Sequence, residues 1–161
     1  MSNARNLARL LPNANGQLPD AAMSSGSVLQ VVSRTFNSQV VTSSSAFIPS
    51  GCSLAITPTS PTSKIVCLFT GWGNVSGSGR HGIAAIHRNG SVNLNGPYGN
   101  NFYTDAGGYT EFPIALSAYD TPNTTNETTY EIYIRQDGVA NFAFGGGNNR
   151  ISTFTLMEIA A

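Results

Sequence analysis

Charged residues are scarce in this chain of 161 residues. Eight Lys and Arg balance eight Asp and Glu, and together they make only 10% of the sequence, where an ordinary soluble domain has about 25%. The chain contains a single lysine, Lys64, and no two Lys or Arg residues are adjacent. Nucleic acids and anionic membrane surfaces are bound by clustered Lys and Arg. The sequence therefore predicts neither nucleic acid nor a membrane as a partner.

Cysteine and histidine are also scarce. Cys52 and Cys67 are too few for a disulfide scaffold, and we interpret them as small buried side chains, although a bridge between them stays open. His81 and His87 would lie about 20 Å apart on one strand, at roughly 3.3 Å per residue, and so cannot share a metal ion. No apolar run approaches the ~18 residues of a membrane span. We expect no metal and no cofactor.

Small polar residues take the place of the missing charges. The chain has 18 Ser, 15 Thr, 16 Asn and 17 Gly, about two residues in five. After Ser27, short runs with apolar alternation are separated by Gly, Pro and Asn, which is typical of strands and turns. Hairpins are predicted at Asn89–Gly90 and Asp137–Gly138, and a hairpin loop at Pro58–Ser63. The pattern predicts an all-β, jelly-roll-like antiparallel β-sandwich over residues 27–161.

Two of the predicted strands have a clear assignment of faces. In the stretch that ends at Gln136, Tyr130, Ile132 and Ile134 alternate with polar residues and are predicted to face the core. The last strand, Ile151–Ile159, has apolar residues on both faces. A strand of that kind is expected in the middle of a sheet or covered on both sides.

Residues 1–26 differ from the rest of the chain. Leu7, Leu10 and Leu11 recur at the spacing of one helix face, and Pro12 ends the pattern. The residues that follow contain turn formers without periodicity. We predict a short N-terminal helix on an extended arm, in which the three leucines anchor the protein to another protein, because so short a helix is marginal alone.

One segment carries a candidate ligand site. Asn95–Thr110 reads as an irregular loop in which tyrosines lie among Asn, Asp and Gly, and Trp72 lies between glycines in a second predicted loop. Aromatic rings beside amides and a carboxylate can stack on sugar rings and hydrogen-bond their hydroxyls. Alternatively, these aromatics hold a long loop to the sandwich or fill a subunit interface. The glycan-binding candidates are Trp72, Tyr98, Tyr103, Asp105 and Tyr109.

Catalysis has weak support in the sequence. The eight carboxylates are scattered, and Asp105 with Glu111 is the pair that would act in a polysaccharide hydrolase if folding brought them together. Two solvated loop carboxylates are the simpler interpretation. No fingerprint of a nucleophile elbow, a phosphate-binding loop, a zinc protease or a dinucleotide site is present. We expect no catalytic residues and no enzyme.

Four segments together resemble a known family. The opening Ser2–Leu11, the strand Gly26–Val32, the Pro- and Ser-rich turn in Ile56–Val66 and the ending Ser152–Ile159 are similar to segments of bacteriophage tail-fibre and related virion proteins, especially those of cyanobacterial and marine phages. The resemblance covers most of the chain loosely. It implies a non-enzymatic virion component with an all-β domain, assembled as a homotrimer with other virion proteins as partners.

Two functions are compatible with this resemblance. A short tail fibre would insert its N-terminal arm into a baseplate and present the domain to a host-surface glycan. A capsid decoration (cement) protein would use the same arm to grip neighbouring capsid subunits. Tail fibres usually carry a long shaft of coiled coil or β-helix, and this chain has none. The tail fibre is the first hypothesis and the decoration protein the alternative.

Overall fold

The structure, a computed structural model, describes residues 23–77, 79–105, 108–137, 140–145 and 150–161. The predicted N-terminal helix, with Leu7, Leu10 and Leu11, lies outside the described residues. In the part of the chain that the structure describes, no helix is long and apolar enough to cross a membrane. The strands are β1 (Val28–Phe36), β2 (Gln39–Thr42), β3 (Ile48–Ile56), β4 (Lys64–Ser76), β5 (Arg80–Arg88), β6 (Val92–Asn93), β7 (Asn100–Thr104), β8 (Tyr109–Asp120), β9 (Thr128–Gln136), β10 (Phe142–Gly145) and β11 (Ser152–Ile159).

The strands form two antiparallel sheets with a jelly-roll order. Sheet A contains β1, β11, β4 and β8 side by side, and β10 and β2 continue it along the second half of β4. Sheet B contains β3, β9, β5 and β7, with the short β6 on the end of β5. The eight longest strands are β1, β3, β4, β5, β7, β8, β9 and β11. When these eight are counted from 1 to 8 along the chain, their order is 1-8-3-6 in sheet A and 2-7-4-5 in sheet B. This order is that of a jelly roll, so the predicted fold class is confirmed.

The core lies between the two sheets and follows the predicted faces. Tyr130, Ile132 and Ile134 of β9 are fully buried. Strand β11 pairs with β1 on one side and β4 on the other, as expected for a central strand. Cys52 and Cys67 are both buried and both free thiols. The bridge that the sequence left open is absent, and burial raises the pKa of both thiols.

One predicted hairpin is confirmed and two are wrong. Asn89 and Gly90 have φ values of 47° and 72° and connect β5 to β6, which pair. Pro58–Ser63 instead leads from β3 in sheet B to β4 in sheet A. Asp137 directly follows β9, which belongs to sheet B, whereas β10 pairs within sheet A; residues 138 and 139 lie outside the described residues. Turn residues show where the chain reverses, but in a jelly roll many reversals cross between sheets.

A partly buried ion pair joins the two sheets at one end of the sandwich. Asp120, the last residue of β8, accepts hydrogen bonds from Arg88 Nη1 at 2.9 and 3.0 Å and from the Tyr130 hydroxyl at 2.7 Å. Arg88 belongs to β5 and Tyr130 to β9, so one carboxylate of sheet A ties two strands of sheet B. Burial is the main reason why the pKa of Tyr130 is raised, and the hydrogen bond to Asp120 is the second.

Candidate functional site

The predicted ligand residues lie in three separate places. Tyr103, Asp105 and Tyr109 lie where β7 ends and β8 begins. Tyr98 is an exposed turn residue before the other end of β7. Trp72 lies inside β4, opposite Pro113 of β8. The structure therefore brings together three of the five candidates.

The irregular loops predicted for this region are wrong. Much of Asn95–Thr110 forms β7 and the start of β8, and the glycine-rich segment around Trp72 continues β4 as far as Ser76. Asn and Gly are poor strand formers, but pairing partners and neighbouring side chains override such preferences within a sheet. Strand β7 has its partner in β5, and β4 has partners on both sides.

Backbone hydrogen bonds join several loops at the end of the sandwich where β4 and β7 end and β8 begins. We call this end the tip. The Gly77 amide, after β4, donates to the Gly108 carbonyl before β8 at 2.6 Å. The Ser76 amide donates to the Asn141 carbonyl before β10 at 3.1 Å. The tip thus presents side chains from connections that are far apart in sequence.

A tyrosine and a histidine form the centre of the tip. Tyr103 of β7 lies opposite His81 of β5, and their ring centroids are 4.7 Å apart at an interplanar angle of 43°. His81 Nδ1 lies 2.7 Å from the side-chain oxygen of Asn101. Tyr103 remains 53% exposed. A large part of its ring is therefore open to a ligand.

Two carboxylates lie beside this ring pair. The Tyr103 hydroxyl donates to Asp105 Oδ1 at 3.0 Å, and this hydrogen bond, with the charge of Asp105, raises the pKa of the phenol. Asp137 Oδ1 accepts from the His81 amide at 2.9 Å, and its other oxygen is 3.6 Å from His81 Nε2. We call His81, Asn101, Tyr103, Asp105 and Asp137 the tip cluster.

Sequence reasoning missed three members of this cluster. The sequence presents His81 only as a possible metal ligand, Asp137 only as a turn residue and Asn101 only as one of many amides. The three residues are far apart in sequence, and they meet because β5 pairs with both β7 and β9. The chain has no local signal for that pairing, so a single sequence offers no means of finding the cluster.

The chemistry of the tip cluster suits a polar ligand with a flat or ring-shaped face. A half-exposed aromatic ring can stack on a sugar, and carboxylate and amide groups can hydrogen-bond its hydroxyls. Within the described residues, no group of three or more His, Cys, Asp or Glu is arranged to hold a metal ion. The cluster therefore has binding groups but no metal-binding set in this part of the chain.

The other predicted residues have different surroundings. The guanidinium carbon of Arg150 lies 4.0 Å from the centroid of the half-buried Trp72 ring. Arg150 Nη2 also donates to Glu111 Oε2 at 2.9 Å. The structure thus gives Glu111 and Asp105 separate partners, and it places a cation over one face of Trp72. Arg150 therefore occupies the face of the Trp72 ring on which a sugar would stack.

Comparison with known proteins gives a distant structural similarity but no match in sequence. No protein-family model and no curated protein matches this chain. A chain in the structure of infectious bursal disease virus, Gx strain, is 16% identical with a TM-score of 0.41, and the match covers 82% of this chain and 37% of that chain. The protein thus spans little more than a third of the length of that chain. A TM-score this low does not support a fold or a function, so the jelly-roll assignment rests on the strand order alone.

Proposed function

We propose that the protein is a non-enzymatic virion component whose tip binds a glycan, as the receptor-binding domain of a short tail fibre. The observation that carries this proposal is the tip cluster, in which a half-exposed tyrosine lies beside two carboxylates and an amide at the end of a jelly roll. Jelly rolls occur in both viral capsid and lectin domains. The fold is thus compatible with both parts of the proposal.

The tip cluster favours a particular class of glycan. The open part of the Tyr103 ring offers a stacking surface, because its other contact is the tilted ring of His81. Asp105 and Asp137 place negative charge beside that surface. Like charges repel, so we expect neutral or amino sugars to bind and sialic or uronic acids to be disfavoured.

The virion assignment rests on the family resemblance and on the surface chemistry. A chain of zero formal net charge can pack at high density without repulsion between copies. The resemblance also implies the homotrimer and the anchoring role of Leu7, Leu10 and Leu11. These parts of the proposal concern contacts with other proteins of the particle, whereas glycan binding concerns the tip cluster.

The capsid decoration protein remains the second candidate. It is favoured by exposed apolar residues on the flank of the sandwich, among them Val31, Leu68 and Tyr119, because such a surface suits a neighbouring protein better than a soluble ligand. Imaging of intact particles with the labelled protein distinguishes the two candidates. Label on the head supports a decoration protein, and label at the tail tip supports a fibre.

Glycan binding is tested by substituting Tyr103. The full chain is applied to an array of immobilised neutral, amino and acidic glycans, and binding is compared with that of Tyr103→Ala. We expect Tyr103→Ala to weaken binding at least tenfold with an unchanged melting temperature, because the lost ring lies at the surface. Tyr98→Ala is the matched control, since Tyr98 is exposed and lies outside the cluster.

Two results would overturn the glycan proposal. One is an absence of binding by the unsubstituted chain to every glycan on the array. The other is an equal loss in Tyr103→Ala and Tyr98→Ala, which would place the binding surface elsewhere. A large drop in melting temperature for Tyr103→Ala would instead assign Tyr103 a role in packing.

A further inference from the structure

Arg135 of β9 is an arginine on the outer face of sheet B whose guanidinium has no acceptor in the described part of the chain. It follows the buried Ile134, so its side chain points away from the core. Its guanidinium carbon lies 5.1 Å from the centroid of the half-buried Phe47 ring. The hydrogen bonds and ion pairs of described arginine side chains belong instead to Arg88 and Arg150. A guanidinium carries five N–H donors, so Arg135 has donors to offer to a ligand.

Phe47 holds the guanidinium of Arg135 in place. The segment that leads into β3 runs beside the end of β9, where the Gln136 amide donates to the Ser44 carbonyl at 2.8 Å. From there the Phe47 ring reaches toward Gly99, where an added Cβ would lie 3.2 Å from Phe47 Cζ. Gly99 has a φ of 66°, which favours glycine, and its missing side chain leaves room for the ring. A guanidinium held on an aromatic ring loses less side-chain freedom when it binds a ligand.

Strand register makes Arg135 a neighbour of the tip cluster. Ile83 of β5 lies opposite Arg135 of β9 on one side and opposite Asn101 of β7 on the other. Asn101 belongs to the tip cluster, and Tyr103 lies two residues further along β7 on the same face. With strands about 4.8 Å apart and about 3.3 Å per residue, the Cα atoms of Arg135 and Tyr103 are about 12 Å apart. One sugar ring on Tyr103 does not span this distance, whereas two linked rings do.

The tip and the Arg135 position offer opposite hydrogen-bonding groups. Ionised Asp105 and Asp137 only accept hydrogen bonds, whereas Arg135 only donates them. The side-chain oxygen of Asn101 lies 2.7 Å from His81 Nδ1, which leaves the NH₂ group of Asn101 as a second donor. A ligand that uses both places therefore presents hydroxyl or amine hydrogens at the tip and acceptor oxygens at Arg135.

We propose that the glycan site of the tip continues to Arg135 and binds two linked sugars, the second of which is neutral. This inference rests on the proposed function of the tip cluster. An amine on the second sugar would be repelled by the guanidinium. A carboxylate there would lie near Asp137 and Glu131, which precede and follow Arg135 along the same face of β9 and its extension. Hydroxyl and amide oxygens accept from the guanidinium without either repulsion.

The first test compares glycans of different length. Glucose, galactose, mannose and N-acetylglucosamine are immobilised through their reducing ends, each as the monosaccharide and as a linked disaccharide, and the full chain is applied. We expect the disaccharide of the recognised sugar to bind roughly tenfold more tightly than the monosaccharide, because hydrogen bonds to a charged group are stronger than those between neutral groups. Arg135→Met removes the donors and keeps an unbranched side chain on the Phe47 ring. It should lower the affinity ratio of disaccharide to monosaccharide to about one.

Arg34→Met is the matched control. The guanidinium carbon of Arg34 also lies 5.1 Å from the centroid of an aromatic ring, that of Phe36, but both residues belong to β1 in the other sheet. Arg34→Met should keep the affinity ratio of the unsubstituted chain. Arg135→Lys covers the case in which Arg135→Met fails to fold. It keeps the charge but lacks the planar fork of donors, and it should also lower the ratio.

The second test varies the second sugar behind a constant neutral sugar at the free end. N-acetylglucosamine, glucosamine and glucuronic acid are compared in the second position. We expect N-acetylglucosamine to bind most tightly. In Arg135→Met the difference between N-acetylglucosamine and glucosamine should shrink, because the repulsion of the amine is lost together with the guanidinium.

Three results would overturn the proposal while leaving glycan binding at the tip intact. The first is equal affinity of the unsubstituted chain for monosaccharide and disaccharide. The second is an equal effect of Arg135→Met and Arg34→Met on the affinity ratio. The third is tighter binding of glucuronic acid than of N-acetylglucosamine in the second position, which would make Arg135 a carboxylate site. An absence of binding to every glycan would overturn the glycan proposal itself, and this inference with it.

Discussion

Glu158 of β11 is a buried carboxylate held by neutral donors, and its substitution provides a quantitative test of the fold. Its oxygens accept from Gln30 Nε2 at 2.6 Å, from the Thr59 amide at 2.7 Å and from the Thr59 hydroxyl at 2.8 Å. Gln30 belongs to β1, and Thr59 lies in the connection from β3 to β4. One side chain of sheet A therefore fixes the edge strand and a crossing between the sheets.

Glu158→Gln keeps the size of the side chain and removes its charge. Hydrogen bonds to a charged group contribute about 1.5–3 kcal/mol each and are not additive, and a buried donor left unsatisfied costs about 1–3 kcal/mol. The amide can accept with only one atom, so at least one of the three donors loses its acceptor. We expect the free energy of unfolding at pH 7 to fall by about 2–4 kcal/mol. In a domain of this size the melting temperature falls by about 2–4 °C per kcal/mol.

The effect depends on pH with a defined sign. Burial alone would raise the pKa of Glu158, but the hydrogen bonds from neutral donors, including Gln30 and Thr59, outweigh it and hold the pKa below its usual value of 4.5. A carboxylate with a lowered folded-state pKa stabilises the protein above the unfolded-state pKa, and this contribution is lost as the pH falls through the folded-state value. The stability difference between the unsubstituted chain and Glu158→Gln should therefore be constant near neutral pH and shrink below about pH 4.5.

Chemical denaturation at pH values from 7 to 3 measures this difference. Glu127→Gln is the control, because Glu127 is exposed, and surface substitutions of this kind usually change stability by less than about 0.5 kcal/mol. The reasoning is refuted if Glu158→Gln costs no more than Glu127→Gln at pH 7. It is also refuted if the Glu158→Gln variant keeps the same acid dependence as the unsubstituted chain.

Two further predictions concern the core. In Gly82→Ala, the new Cβ would lie 2.5 Å from the buried ring of Phe142, and overpacking of this kind costs about 1–3 kcal/mol; calorimetry should show a lower melting temperature, and an unchanged one would contradict the packing described. Cys52 and Cys67 should not react with a thiol reagent at pH 8 until the chain is unfolded, because both are buried and burial raises their pKa values. A thiol that reacts rapidly in the folded protein would contradict this.

The features predicted correctly from the sequence depend on interactions between residues that are close together in the chain. The alternation in β9 predicts its buried face because side chains on a strand alternate over single residues. The Asn89–Gly90 hairpin is predicted because positive φ is a local property of those two residues. Burial of the two cysteines follows from their small, weakly polar side chains. None of these features requires knowledge of a distant partner.

The errors concern pairings between distant parts of the chain. The turns at Pro58–Ser63 and after Gln136 have the residues of hairpins, but the strands that they connect lie in different sheets. Trp72 is in a strand because β8, some forty residues later in the chain, pairs with it. Turn composition does not encode which strand becomes the neighbour, because pairing energy depends on a partner that lies elsewhere in the sequence.

The sequence alone predicted that this protein is a neutral, all-β chain with short strands, two small buried cysteine side chains and tyrosines among small polar residues. These properties follow from composition and from periodicity over a few residues. Only the tertiary structure decided that Tyr103 meets His81 and Asp137 at the tip, and that Asn101 and Arg135 flank Ile83 on the outer face of sheet B. Both arrangements depend on strand register, which is set by packing of the whole sandwich and has no signature within any one segment.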